Sequence, residues 1–309
     1  MAQPWIYAKL FNIMEKKVAL LVVYNHRYDK NIPIIEKLYK NRFSHVYQLM
    51  PFYDGDHENV IPVYDSSHYF QNYIAQAYTH LKKEGFTHFF IVADDMILNP
   101  RINENNLWEE MGIDTNDCYI SRISIIQERK NFWTHSPKAM KYKVKQKGVE
   151  VENILPSREE AEKIFAKHHL PTTKVPIRRF IPKSWHIFYK FVLKQMPFPL
   201  KMDYPLVGGY SDIFLLTQKE MPKFCQYCGA FAATKLFVEI AIPTSLYLTA
   251  ETVKLDKDVK LKRGDIWLTQ IKKLENNYDR DLHKLLLAYP ENQLFIHPVK
   301  LSRWKYDSI

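Results

Sequence analysis

The chain has 309 residues, 46% of them hydrophobic and 14% aromatic, which suits one large folded core and excludes a disordered tail. Its 44 Lys and Arg against 34 Asp and Glu give a formal charge of +10 and a pI near 9.2, a field that favours anionic partners such as phosphates, nucleic acid or acidic lipid. Cys118, Cys225 and Cys228 are too few for a disulfide framework, no apolar run reaches the roughly 20 residues of a membrane span, and no leader pattern precedes the first strand. A reducing cytoplasm is therefore the expected compartment, with any membrane contact made from the side.

Residues 18–24 read VALLVVY, a continuous aliphatic run that ends at Asn25, His26 and Arg27, as a strand buried on both faces does. Asn31 and Pro33 open a helix with Ile34, Ile35, Leu38 and Tyr39 on one face, and a second strand follows over 45–50, giving the strand–helix–strand signature of an α/β chain. A strand over 60–64 precedes Asp65, and a helix is expected over 67–83, closed by Lys82, Lys83 and Gly85. It feeds a strand over 88–93 that delivers Asp94 and Asp95 at its carboxyl end, where open α/β sheets bind ligands.

Residues 127–205 break this rhythm and read as an insertion or lid, with a capping box from Ser157 to Glu160 ahead of a polar helix. The stretch 183–201 mixes lysines with Trp185, Phe188 and Phe191 and suits peripheral contact with an anionic membrane, although an aromatic stripe also serves as ordinary core. Regular structure returns with a strand over 212–217, an apolar segment over 236–248, an amphipathic helix over 272–289 and a last strand over 294–299. Repeats and low-complexity linkers are absent from the sequence.

Four segments carry possible chemistry. In FFIVADDMILNP (89–100), the paired carboxylates suit Mg²⁺ or Mn²⁺, hard ions that take oxygen ligands and bridge diphosphates; the bland alternative is an Asp pair bonding turn amides. In LFIHPVKLS (294–302), His297 can complete a metal shell and Lys300 can meet a phosphate, or both are surface residues after a strand. Glu239 is the only ionisable residue inside the apolar run KLFVEIAIPTSLYL after its first lysine, and is either a general base in a cleft or the partner of a nearby cation. In GGYSDIFLL (208–216), Gly208 and Gly209, two of only eight glycines, adjoin Tyr210, Ser211 and Asp212, where backbone turns sharply or approaches a ligand.

As an ordered set, Asp94-Asp95 after a strand, Gly208-Gly209-Tyr210-Ser211-Asp212, Phe237-Val238-Glu239 and His297-Pro298-Val299-Lys300 resemble the nucleotide-diphospho-sugar glycosyltransferases of GT-A fold, over residues 18–126 and 205–302. The resemblance implies a single Rossmann-like α/β domain over 1–309, a mixed sheet flanked by helices with a helical insertion at 127–205. It implies transfer of a sugar from a nucleotide-diphospho-sugar donor to a glycan or lipid-linked acceptor, as in bacterial surface polysaccharide or lipopolysaccharide assembly. It also implies Asp95 and His297 as ligands of Mn²⁺ or Mg²⁺, with Asn25, His26, Arg27, Asp65, Asp94 and Lys300 on the donor. Gly208, Gly209, Tyr210 and Asp212 fall on the acceptor side, and Glu239 becomes the catalytic base. The family's usual Asp-x-Asp is here Ala93-Asp94-Asp95.

Competing readings are weaker in particular ways. Cys225 and Cys228 form one CxxC without the second pair a structural zinc wants, and read as two thiols on a helix. A nucleotidyltransferase would carry a glycine-rich basic loop after the first strand, where this chain has YNHRYDKN. A nucleic-acid-binding protein fits the charge, but the lysines are spread along the chain with no recognisable module, so no nucleic-acid partner is expected. A catalytically silent sugar-binding relative is the remaining alternative.

Overall fold

The computed structural model describes residues 16–127, 133, 135–151, 153–174 and 201–306. In chain order, β1 (Val18–Val23), α1 (Ile32–Tyr39), β2 (His45–Pro51), β3 (Val60–Val63), α2 (Gln71–Leu81) and β4 (His88–Ala93) build the first half of the main sheet. There follow β5 (Ile97–Leu98), α3 (Leu107–Met111), β6 (Cys118–Ile120), β7 (Ile123–Ser124), α4 (His135–Met140) and α5 (Arg158–Lys167). The last part adds β8 (Gly208–Gly209), β9 (Ile213–Thr217), α6 (Met221–Ala233), α7 (Val238–Thr249), β10 (Val253–Lys254), α8 (Leu268–Asn277), α9 (Leu282–Leu287) and β11 (Phe295–Ile296).

The main sheet has seven strands in the order β10-β6-β9-β4-β1-β2-β3. β3, β2, β1 and β4 run parallel, and β9 is antiparallel to both of its neighbours, β4 and β6. The order in which strands are added reverses at the β1–β4 pair, since β1 leads outward to β2 on one side and β4 lies on the other, and the crevice outside such a switch point is where α/β sheets bind ligands. This arrangement is compatible with a Rossmann-like fold.

β1 and β4 are buried at every position, and their alternate side chains feed two different cores. Val18, Leu20 and Val22 of β1 with Phe90 and Val92 of β4 join α1, α9 and β11 on one face; Ala19, Leu21 and Val23 with Phe89 and Ile91 join α2, α6 and α7 on the other. Each such fully buried side chain contributes roughly 1.5–3 kcal/mol of hydrophobic stabilisation.

A third core joins the 127–205 region to the body. Phe165 of α5, Leu155, Tyr204 and Leu206 pack with Tyr227 and Phe231 of α6 and Ile240 and Tyr247 of α7. The expected capping box is formed, with the Ser157 hydroxyl accepting from the Glu160 N–H and the Glu160 carboxylate accepting from the Ser157 N–H. Of the basic stretch 183–201, all but Lys201 lies outside the described residues.

Several expected elements differ in extent. The helix expected over 67–83 opens with a 3-10 turn at Ser67–Tyr69 before α2 begins. The helix expected over 272–289 is two helices, because Asp279 and Arg280 adopt left-handed backbone (φ 53° and 52°). Arg280 closes α8 by donating its N–H to the Glu275 carbonyl and its guanidinium to the Glu275 carboxylate, and the Asp281 side chain then caps α9. Of the strand expected over 294–299 Phe295–Ile296 forms a strand, antiparallel to Ile97–Leu98, and His297 adds an isolated parallel bridge to Asp265. Cys118, Cys225 and Cys228 are free and buried, the last two on α6 as expected. No helix among the described residues is long and apolar enough to cross a membrane.

Candidate active site at the carboxyl ends of the central strands

β4 ends at Ala93, and the chain turns so that Asp94 and Asp95, both buried, lie beside the carboxyl end of β1. The Asp94 N–H donates to the Val23 carbonyl at 2.9 Å, which fixes the turn against the neighbouring strand. The Asp94 carboxylate accepts from the Asn31 side chain at 3.3 Å. Burial first, and then the charge of Asp95, raise the Asp94 carboxyl to about 7.

Asp95 has the opposite fate. Burial works upward on it, but His297 and Lys300 outweigh that and hold it at about 2. His297 Nε2 lies 2.8 Å from Asp95 Oδ1, Lys300 Nζ meets Asp95 Oδ2, and the Asp95 carbonyl accepts from the Val299 N–H at 2.6 Å. Burial works downward on His297, but contact with Asp95 more than compensates and its pKa is raised. The other ring nitrogen, Nδ1, is 2.5 Å from the Tyr210 hydroxyl, and the Tyr210 ring stacks on Phe295. Two neighbouring carboxyls are thus pushed apart, one able to hold a proton near neutrality and one ionised throughout.

Of these groups, Tyr210 and His297 line a cleft of about 610 Å³ that also includes Gly209, Asp212, Glu239, Arg122, Asp265, Trp133 and Trp267, and Asp95 and Lys300 join it through the His297–Asp95 contact. A narrow crevice lined by Asn25, Ser211 and Asp212 adjoins the sheet edge. Burial first, with Asp95 adding to it, raises the Asp212 carboxyl. Glu239 stands in the first turn of α7, half-buried, where the helix dipole favours a carboxylate. Pro243 one turn on carries no N–H for the Glu239 carbonyl.

The glycine pair is explained by packing. A Cβ on Gly209 would lie 2.9 Å from the Arg122 carbonyl oxygen and 3.0 Å from the Pro243 ring, and one on Gly208 would lie 3.3 Å from the Ser124 carbonyl oxygen. Their close approach is to the β7 and α7 backbone and side chains, while only Gly209 also faces the cleft.

The structure therefore brings together Asp94, Asp95, Tyr210, Asp212, Glu239, His297 and Lys300, with Asn25 at the margin. His26, Arg27 and Asp65 reach the same end of the sheet but are otherwise engaged. The Arg27 guanidinium pairs with Asp29 at 2.8 Å and Asp54 at 2.6 Å, and His26 makes an edge contact with Tyr28. Asp65 accepts from the Ser66 N–H and the Asn72 amide, so its carboxylate closes its own turn.

Sequence reasoning missed Asn31, Arg122, Asp265, Trp133 and Trp267. Asn31, expected as a helix-opening residue, makes no side-chain cap; its amide turns to Asp94 and its Oδ1 is buried without a hydrogen-bond partner among the described residues. The Arg122 guanidinium lies over the Tyr210 ring and 3.8 Å from Asp265, which Arg263 holds from the other side at 2.9 Å. Nothing local marks these residues, although Gly264 beside Asp265 was a usable signal: a Cβ there would lie 1.9 Å from the Phe295 carbonyl oxygen.

Among the described residues no three His, Cys, Asp or Glu side chains converge as a ready metal cage. Two donors do fit. Asp95 Oδ1 is buried without an aligned hydrogen bond among the described residues and lies 2.8 Å from His297 Nε2. Adjacent ligands on an octahedral ion with bonds of ~2.1 Å are about 3.0 Å apart, and Mg²⁺-like ions characteristically take one or two protein ligands and complete their shell with phosphate and water. No protein-family model matches the chain, and no curated protein matches it.

Proposed function

We propose that the chain is a metal-dependent glycosyltransferase of GT-A type, moving a sugar from a nucleotide-diphospho-sugar donor to a hydroxyl of a glycan or lipid-linked acceptor. The supporting observation is the cluster of Asp95, His297 and Lys300 at the carboxyl end of β4, from which His297 opens, with Tyr210, Asp212 and Glu239, onto one cleft. The assignment to surface polysaccharide or lipopolysaccharide assembly rests on the resemblance of the motif set.

In this reading Asp95 and His297 hold the Mn²⁺ or Mg²⁺, which when bound would neutralise charge on the diphosphate. Lys300 turns from Asp95 toward the leaving phosphate and stabilises the negative charge that grows there as the glycosidic bond breaks. Arg122 at the cleft wall is a second cation for the same charge. Tyr210 holds the His297 ring from its far nitrogen, and its phenol stays protonated because burial pushes its pKa far up. Glu239, across the cleft, takes the proton of the attacking acceptor hydroxyl if the anomeric configuration inverts.

The test is the melting temperature of the full chain against a panel of nucleoside diphosphates and nucleotide sugars, with and without Mn²⁺, because a ligand that binds only the folded state raises it. One nucleotide series should give a metal-dependent rise that Asp95→Ala abolishes. No rise with any of them would overturn the proposal.

A further inference from the structure

A second cavity, of about 70 Å³, lies behind the wall of the cleft. It is bounded by the 3-10 turn Ser67–Tyr69, the start of α4 and the turn between α6 and α7. His68, His135, Lys138 and Lys235 contribute its polar lining with Tyr69 and Phe237, and no carboxylate is among the described residues that line it. Its volume is a little more than two waters take in liquid, at about 30 Å³ each, which is the scale of a phosphate group.

Two features mark the cavity as more than a gap between helices. Lys235 occupies the left-handed position after α6 (φ 59°), where its N–H donates to the Ala232 carbonyl and the Leu236 N–H donates to the Phe231 carbonyl. Glycine is favoured in that geometry because it has no Cβ to strain, yet this chain places a lysine there, its Nζ 5.1 Å from the centre of the Tyr69 ring. His135 stacks flat on Phe237 with ring centres 3.6 Å apart, and its Nδ1 is buried without a hydrogen-bond partner among the described residues. Burial first, then the charges of Lys138 and His68, depress the His135 pKa, and with His68, Lys138 and Lys235 exposed at the rim an anion would be the missing partner.

We propose that this cavity is an anion-binding subsite that takes a phosphate monoester. Lys235 and Lys138 supply the charge, His135 and His68 donate from their ring N–H groups, and the Phe237 and Tyr69 faces exclude water from the contacts. Trp133 and Phe237, with ring centres 6.2 Å apart, form a wall shared with the cleft, since Trp133 lines the cleft and Phe237 is two residues from Glu239. The assignment stands on the cavity's own chemistry and does not require sugar transfer.

The test is titration of the full-length protein with inorganic phosphate and, separately, with a hexose 6-phosphate, read by melting temperature and by the imidazole C2–H proton signals of His68 and His135. These are assigned with His68→Gln and His135→Gln. Both signals should move with phosphate. Lys138→Ala and Lys235→Gly should each weaken binding by about tenfold, the loss of one charge-assisted hydrogen bond. Lys235→Gly should also raise the unliganded melting temperature by about 1–2 °C as backbone strain is relieved, which separates lost binding from lost folding. Tighter binding of the sugar phosphate supports the monoester; equal or weaker binding overturns the monoester in favour of free phosphate. Histidine signals that ignore both probes, or phosphate binding unchanged in both lysine variants, would overturn the proposal.

Discussion

Asp94→Asn should make this protein more stable while it disables the site, and the reason lies in the raised carboxyl. A folded-state pKa of about 7 against a model value of 3.8 means the native state binds more protons than the unfolded chain between those values, so stability falls as pH rises through that window and stays low above it. A difference of about 3 units at roughly 1.4 kcal/mol each is a penalty of about 4 kcal/mol near pH 8. The asparagine has no charge to bury, and its amide N–H can donate to Asn31 Oδ1, which is buried without a partner among the described residues, while its oxygen keeps the bond from the Asn31 amide. At about 2 °C per kcal/mol for a chain of this size, the variant should melt up to about 8 °C higher near pH 8. The gain should close toward pH 4, where the carboxyl is already protonated. Calorimetry of both proteins at half-unit steps between these limits is the assay. A variant that melts no higher at pH 8, or a gain independent of pH, would refute the reasoning; under the proposed function the same variant should also lose donor binding.

Glu239→Gln should lower turnover by about 10²–10⁴-fold in an inverting reaction while the nucleotide-induced melting shift persists, and near-normal turnover in assays of both would remove Glu239 from the base role. Tyr210→Phe leaves His297 Nδ1 buried without the hydroxyl 2.5 Å away and should cost about 1–3 kcal/mol in urea unfolding, with a larger loss in metal affinity than in fold; an unchanged metal titration would show that the contact does not position the imidazole. Gly264→Ala forces a Cβ within 1.9 Å of the Phe295 carbonyl oxygen, so the β11 segment that carries His297 must shift, and a loss of about 3 kcal/mol in urea unfolding is expected.

Local chemistry made much of the fold legible. The aliphatic run at 18–24 and the run at 88–93 are long enough, and β-branched or aromatic enough, to read as doubly buried strands, and β1 and β4 fall where those runs predict. The Ser157–Glu160 capping box was legible for the same reason, since its two hydrogen bonds span only three residues. The break between α8 and α9 was not, because the left-handed residues there are Asp279 and Arg280, not glycines, and the turn depends on the Arg280–Glu275 contacts. His26, Arg27 and Asp65 show the converse: they reach the sheet edge that strand order predicts, but turn and surface partners chosen by nearby loops take up the Arg27 and Asp65 side chains.

Local pattern thus places the central strands β1–β4 with α1 and α2, the two carboxylates at the end of β4, and the residue types available for chemistry. Their partnerships were decided only by the tertiary structure. Lys300 meets Asp95 across 205 positions of chain, and Tyr210 meets His297 across 87, separations at which no periodicity or short motif carries information. The difference between Asp94 and Asp95 has the same origin. They are adjacent and chemically identical in the sequence, and it is packing that turns one toward Asn31 and the other toward His297 and Lys300, so that burial raises the first while two cations hold down the second.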